Sequence, residues 1–586
     1  MENRNPYLIT KALKTFLWGS VLAAVSSQIA TTIDAIVVSN IIGPAAISAI
    51  NVDMPVLTLF ACLMILFGIG ASIIAAKAIG RRDDAEANGV FTTSVLVSAG
   101  AGIFMGLLVF LISPALVGVL TGGDEAIYGY ALSYLQVMCV STPFLMMTGT
   151  VQSFVRTDGN PKLVMLAVIA GSILNLILDI VFVRFLDMGI AGSAWATGLN
   201  YLLSLVVCMG HFRQPHNSLK WRPDRKRALT YIRQSVAQGA PMCINSLLLG
   251  GCIFFINYIV LNAAGSDGIY CWAVCLQIFM ILQMVLTGVG SSIYALGGIL
   301  MGERDMKGFS IVNRKCILYS CGTLAVVAAF ILATPGAFAY LFGNRPDHPI
   351  DFLDVSLRAF SILLIPYAIV ALQRSTYQIL GRGGLSLFLS VAQILIMVGF
   401  VWAFSYISPT VMWWGFPSSA VTLLALLLGY TWIVHRRNPV YRPVTLIPAH
   451  PLSNALNISV SMNHQSVSDA LSGITAFLHE QDIPDAMAYE IRLSCEELMN
   501  NIVDHAVRKN PEKHYFDLHI RCDEKAVNVL LKDDGRPFNP ILGKHEETPS
   551  ANPEDHLGLK IVNNTNSTLN YKYMYSQNVV MLSFPR

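Results

Sequence analysis

The side chains of this chain that could do chemistry fall into two groups with very different neighbours. In the first, Asp34, Asn175 and Asp179 sit within long apolar stretches, and Asn175 precedes Asp179 by four residues, one helical turn away on the same face. An amide and a carboxylate so placed can converge on one bound cation or hold one proton. Burial favours the neutral carboxyl, so its occupancy can switch with conformation. In the second group, Glu496-Glu497-Leu-Met-Asn500-Asn501 places Glu497 and Asn501 at i and i+4 of a helix. Asp533-Asp534-Gly535 follows about thirty residues later, and His556-Leu-Gly558 after that. An amide oxygen beside a carboxylate can ligate a divalent cation and orient a nucleophile.

The elements that must hold these residues differ as sharply. The chain is 54% apolar and 13% charged, with a mean hydropathy of +0.56, too little charge to cover a soluble protein of 586 residues. Twelve stretches reach the roughly 20 apolar residues a membrane-spanning helix needs, centred near 27, 64, 105, 141, 173, 201, 248, 284, 326, 366, 395 and 424. Basic residues alternate between their ends: Arg4, Lys11 and Lys14, then Lys77, Arg81 and Arg82, then Arg156 and Lys162, then the cluster Arg213 to Arg233, then Arg304 to Lys315, then Arg436 and Arg437. By the positive-inside rule both termini, and the tail, are expected in the cytoplasm of a multi-pass protein of the plasma (inner) membrane. The formal net charge of +3 carries no basic stripe with interleaved aromatics, which argues against nucleic acid as a partner. The 11 cysteines lack metal spacing and read as apolar packing residues. No cleaved signal is expected.

The apolar part repeats itself with a period of about 220 residues: Gly68-Ile-Gly70-Ala-Ser72-Ile and Gly80-Arg-Arg-Asp83 return as Gly288-Val-Gly290-Ser-Ser292-Ile and Gly302-Glu-Arg-Asp305. Gln152 and Arg156 are echoed by Gln378 and Arg382. Six helices followed by six in the same orientation is the parallel-repeat transporter plan. These motifs, with Asp34 ahead of Ile42-Gly43-Pro44, Arg156-Thr-Asp-Gly-Asn-Pro161 and Asn175-Leu-Ile-Leu-Asp179, resemble the multidrug and toxic compound extrusion (MATE) family over roughly residues 10 to 437. The resemblance implies two six-helix lobes around a central cavity, embedded in the lipid bilayer, and export of small organic cations or drugs against an inward flow of Na+ or H+. It places Asp34, Asn175, Asp179, Thr197 and Asn200 at the cation site. A carboxylate near the bilayer centre costs about 2.5 to 3.5 kcal/mol, which supports a role for Asp34 and Asp179. Asp53, at the edge of the second span, reads equally as a solvated group, and Gln277, Gln283, Gln373, Gln378 and Gln393 equally as substrate contacts or interhelical bonds.

Beyond the prolines 439, 443, 448 and 451 the periodicity changes. Strands are predicted at 456–462, 516–521 and 527–532, an amphipathic helix at 467–480 and a longer one at 486–507. The domains are therefore expected at 1–228, 229–440 and 456–586, with a Pro-rich linker at 441–455. The three boxes of the tail resemble those of the GHKL (Bergerat) ATPase superfamily, an α+β sandwich, most closely the anti-sigma-factor serine kinase branch. That resemblance implies ATP and Mg2+ as cofactors, with Asn501 as the Mg2+ ligand, Glu497 as the base and Asp533 as acceptor for the adenine amino group. Gly535 and Gly558 complete the nucleotide site. The lid departs from the family: 546–557 has no glycine, and Glu554 and Asp555 would repel phosphate. Serine kinase, slow ATPase and ATP sensor stay open on these residues. No Gly-x-x-x-x-Gly-Lys phosphate loop exists to drive transport by ATP hydrolysis. The expected function is cation-coupled efflux, with the tail regulating transport or phosphorylating a cytoplasmic partner protein. The alternatives are a membrane-anchored sensor kinase, or a lipid-linked precursor flippase, which a cavity rich in Arg or Lys would favour.

Overall fold

The computed structural model describes residues 4–122, 124–214, 217–335, 352–449, 454–506, 513–537 and 567–586. The apolar runs become α1 (Tyr7–Ile41), α2 (Pro44–Met64), α3 (Gly70–Arg81), α4 (Asp84–Leu120), α5 (Glu125–Thr157), α6 (Pro161–Asp179), α7 (Gly189–Met209), α8 (Ala228–Ser292), α9 (Gly298–Gly302), α10 (Met306–Ala333), α11 (Leu353–Ile379), α12 (Gly383–Ser405) and α13 (Gly415–Arg437). Among the described residues, eleven helices are long and apolar enough to cross a membrane. The longest, Ala228–Gly302, breaks at Gly265, whose φ of 63° and ψ of −152° are not helical, so it supplies two of the spans expected from the sequence.

The internal repeat is explained by how the two lobes touch. A Cβ on Gly70 would come within 2.2 Å of the Ser235 carbonyl at the start of the second lobe, and one on Gly288 within 2.7 Å of Val21 in α1. Each repeat thus lays its glycine against the first helix of the other. At the basic end, a Cβ on Gly80 would meet the Ile299 carbonyl at 2.1 Å, and one on Gly302 the Lys77 carbonyl at 2.3 Å. The two lobes are therefore closed there, backbone on backbone. The next motif residues match as well: Arg82 and Arg304 are left-handed. Asp83 accepts from the Glu86 N–H at 2.9 Å and Asp305 from the Gly308 N–H at 2.7 Å, capping α4 and α10.

The tail folds as β1 (Ala455–Ser461), α14 (His464–Glu480), α15 (Asp485–His505), β2 (Tyr515–Cys522), β3 (Ala526–Asp533), β4 (Thr568–Met574) and β5 (Gln577–Pro585). Its antiparallel sheet has the order β1-β2-β3-β5-β4. Alternate side chains leave opposite faces of a strand, and here both faces are covered. Val527, Val529, Leu531, Leu582 and Phe584 pack with the helices, whereas Leu530, Val579 and Met581 pack on the membrane bundle. The last hairpin turns through Tyr575 and Ser576 at φ 54° and 60°, a two-residue turn with both residues left-handed, which costs non-glycine residues about 1 to 2 kcal/mol each.

Candidate functional site

Three neighbourhoods gather the chemically capable residues. The first lies between α1, α6 and α7. Asp34 is half-buried and accepts a 3.0 Å hydrogen bond from the Ser193 hydroxyl. Asp179 is fully buried; its oxygens make no hydrogen bond of good geometry among the described residues, but the Ser193 hydroxyl that bonds Asp34 also lies close to it. The carboxyl of Asp34 faces it within hydrogen-bonding reach. Two carboxylates are both acceptors, so they bond to each other only when one carries a proton, and a metal cation between them would serve as well. Asn175 donates to the Thr197 hydroxyl at 3.4 Å, beside this pair. Asn200 stands further along the same seam, accepting from Ser204 at 3.4 Å opposite Gly171. Asp53 is fully buried with both oxygens unpartnered among the described residues, so it is not a solvated edge group: α2 turns it inward. Ser193, within Gly192-Ser-Ala194, was not assigned to this site from the sequence.

The second neighbourhood is a cavity of about 350 Å3 between the lobes. Gln283 and Gln378 line it. Gln373 is buried against Asn313, Gln393 holds Arg374, and Gln277 is exposed. Arg156, counted in the sequence among the topology-setting charges, faces this cavity, as does Arg374, which the sequence reading passed over. The Arg382 expected to mirror Arg156 instead lies over the Tyr441 ring at 4.5 Å.

The third neighbourhood is in the tail. Glu497 and Asn501 lie half-buried on α15, one turn apart, and the adjacent Asn500 is turned to the other side, where it meets His464 at 3.2 Å. Asp533, at the end of β3, is buried and accepts from the Asn578 amide and the Gly535 N–H, both at 2.8 Å and both on Oδ1. Burial pushes its carboxyl up to about 6, against those hydrogen bonds, which favour the ionised form. Gly535 is required sterically: a Cβ there would meet Ala506 at 2.6 Å and Asp533 at 2.8 Å. Gly558 and the segment 546–557 lie outside the described residues. The residues present suit a nucleotide: a fixed acceptor at the strand end, and an amide and a carboxylate on the facing helix.

These neighbourhoods are joined at the basic end. Asp534, next to Asp533, accepts from Lys11 at 2.6 Å and Tyr7 at 2.8 Å, both on α1, and lies 3.2 Å from His514. Burial works to raise the Asp534 carboxyl, but the bonds from Lys11 and Tyr7 outweigh it and hold it below its ordinary value. Arg4 reaches Asp305 of the second lobe at 2.7 Å and Asp517 of β2 at 2.5 Å, with all three side chains buried. Lys532 pairs with Glu303 at 2.7 Å, Lys572 with Asp84 at 3.1 Å, and the Tyr575 hydroxyl donates to the Thr157 carbonyl at 2.8 Å. The tail thus grips both lobes across their closed end.

Comparison with known proteins agrees with this architecture. Residues 20–181 match the MatE family model and residues 460–584 the model for a histidine kinase-like ATPase domain. The chain is 20% identical over 362 residues to the multidrug export protein MepA of Staphylococcus haemolyticus, covering 61% of this chain and 78% of that one. It is 22% identical over 451 residues to the probable multidrug resistance protein YoeA of Bacillus subtilis, covering 74% and 96%. Against MepA of Staphylococcus aureus, identity is 24% over 50% of this chain and 64% of that one. Among solved structures, a MOP superfamily transporter from Pyrococcus furiosus superposes with TM-score 0.67 at 21% identity, covering 75% of this chain and all of that one. An outward-facing multidrug resistance MATE family transporter gives 0.67 at 21%, covering 74% and 98%.

Proposed function

Because the chain joins a MATE-family membrane domain to a histidine kinase-like ATPase domain, we propose that it exports small organic molecules across the plasma (inner) membrane in exchange for Na+ or H+, under control of its own cytoplasmic nucleotide-binding domain. The basic ends of the helices, where the tail sits, face the cytoplasm in this reading. The Asp34–Asp179 pair is the coupling site, with Asn175 and Thr197 beside it. A pair of facing carboxylates binds a cation or proton, and releases it when movement of α1 against α6 separates them. To load a substrate from the cytoplasm, the lobes must part at Gly80 and Gly302.

The observation that carries the regulatory half is the docking of the tail. One sheet face covers the closed end, and its ion pairs hold α1, the first lobe and the second lobe together. Opening that end requires breaking some of them. The residue after the adenine acceptor, Asp534, is itself one of these grips, so a nucleotide at Asp533 acts directly on the clamp. Asn501 would hold Mg2+ and Glu497 would orient a nucleophile, and the bound nucleotide would supply a transferable phosphoryl group.

Reconstitution of the full chain in proteoliposomes tests both halves. Export should follow an imposed Na+ or proton gradient and fall at least tenfold in Asp179→Asn. ATP with Mg2+ should change its rate, and Asn501→Ala should remove that response. Export indifferent to both gradients overturns the coupling, and a rate indifferent to nucleotide overturns the regulation.

A further inference from the structure

The cavity between the lobes has a charge that its surroundings do not cancel. Its lining contains Arg156 from α5 of the first lobe and Arg374 from α11 of the second, and no acidic residue. Among the described residues neither arginine forms an ion pair. Arg374 donates to two neutral amide oxygens, Asn245 at 2.6 Å and Gln393 at 3.2 Å, which aim the guanidinium but leave its charge intact. The Nε of Arg156 is buried with no hydrogen-bond partner among the described residues. Arg374 lies within its span and Arg156 at the end of its own, withdrawn into the cavity; a basic side chain so placed is costly and ordinarily finds a counter-charge. Here one from each lobe is turned onto a common cavity without any.

An organic cation entering this space would meet two positive charges and no acceptor carboxylate. An anion would meet the planar donor forks that bind carboxylate, phosphate or sulfonate groups in bidentate fashion. The remaining lining is amphipathic. Ser246 and Gln283 offer neutral hydrogen bonds, and Met242, Met280 and Leu286 an adaptable apolar wall. At about 350 Å3 the volume falls at the lower end of the range for drug-sized ligands. We infer that the molecule this chain binds for export is an organic anion: one carboxylate, phosphate or sulfonate held between Arg156 and Arg374, carried on an apolar body that lies along the methionine-lined wall.

This deepens the export reading and rests on it. It also separates the two ions of the exchange. The coupling cation has the Asp34–Asp179 pair and the substrate has the arginines, so the two do not compete for the same groups and must be linked by lobe movement. The same headgroup chemistry is offered by a water-soluble anion and by an anionic amphiphile in the bilayer, and the two sources are told apart by where the probe is supplied.

The test uses the purified full chain and a matched pair of probes, 1-naphthalenesulfonate and 1-naphthyltrimethylammonium, with farnesyl phosphate incorporated in the vesicles as the membrane-borne arm. The wild type should bind the sulfonate or the farnesyl phosphate at least about tenfold more tightly than the ammonium probe. Arg156→Gln and Arg374→Gln should each weaken anion binding about ten- to a hundredfold, the range for losing one charged hydrogen-bond partner. Arg374→Lys keeps the charge and should retain the preference, which controls for misfolding, and Arg374→Glu should invert it. Equal or tighter ammonium binding, or anion binding untouched by both glutamine variants, overturns the proposal. Anion binding with no ion-driven flux sinks the export reading and leaves the cavity assignment standing. Ion-driven flux of the ammonium probe alone keeps export and sinks the anion assignment.

Discussion

Replacing Arg4 by methionine probes whether the tail is a clamp or only an attachment. Among the described residues Arg4 is the one positive charge bridging Asp305 and Asp517, at 2.7 and 2.5 Å, and its side chain and both carboxylates are at most 2% exposed. Burial works to lower the guanidinium's pKa and the two carboxylates outweigh it, so it stays charged throughout the accessible pH range. Methionine fills a similar volume and leaves two buried carboxylates without their cation. Asp305 keeps the Gly308 N–H and the positive end of α10, and Asp517 keeps a 2.6 Å bond from Ser459. Breaking a buried pair from one side costs about 3 to 5 kcal/mol, or roughly two to nearly four powers of ten in the docking equilibrium. Hydrogen exchange of the full chain in detergent should show faster exchange in the β1–β2 ladder of Arg4→Met, by about a hundredfold or more wherever undocking limits it. Asp517→Asn on that background removes the stranded charge and should restore part of the protection, a coupling of about 0.5 to 3 kcal/mol. Wild-type protection in Arg4→Met, or strictly additive losses in the double variant, would refute the reasoning.

If, as proposed, the adenine amino group donates to the ionised Asp533, whose carboxyl burial raises to about 6, nucleotide affinity of the full chain should weaken as the pH falls through about 6. Calorimetric titration from about pH 5 to about pH 8, roughly three units spanning that value, checks it, and Asp533→Asn should abolish the dependence together with most of the affinity. Glu497→Gln should leave ATP bound while removing any phosphoryl transfer, whereas Asn501→Ala should lose Mg2+-dependent binding, both read by titration and phosphate release. Gly80→Ala puts a methyl group 2.1 Å from the Ile299 carbonyl, and such overpacking costs about 1 to 3 kcal/mol. Spin labels on the basic ends of the two lobes should move apart in that variant, and export should fall.

The membrane spans were legible because apolar length alone specifies them, and the repeat was legible because close backbone approach tolerates only glycine at positions such as Gly70, Gly80, Gly288 and Gly302. Where side chains point inside a bundle was not. Asp53 and Arg156 both sit near span ends, where solvation and burial leave the same local pattern, and only packing decides between them. Arg374 escaped notice because a single arginine in an apolar helix carries no periodicity. The β4–β5 hairpin escaped because its turn is Tyr575-Ser576, without the Asn-Gly or Asp-Gly that announces a left-handed pair. From this turn the Tyr575 hydroxyl reaches the end of α5. The strand pattern of β3 was legible as a strand but not as one covered on both sides, since a half-buried sheet and a docked one differ only in what lies opposite Leu530 and Met581.

One helix gives these separate observations a common cause. α1 runs unbroken from Tyr7 to Ile41. Its first turns are held by Asp534 beside Asp533, its middle is pressed at Val21 by Gly288 of the opposite lobe, and Asp34 near its far end faces Asp179. Lys11 and Asp34 are 23 residues apart in the sequence, about 35 Å along a helix. A rigid rod gripped at three points transmits a shift at one grip to the others. In the proposed function, nucleotide in the tail biases the position of α1, and the position of α1 sets the separation of the two carboxylates. Linkage then requires the reverse: the ion that draws Asp34 and Asp179 together changes nucleotide affinity by the same factor by which nucleotide changes the affinity for that ion. A tail that merely anchored the chain would need no contact between α1 and the residue next to the proposed acceptor Asp533, yet two of the three groups holding Asp534 come from α1.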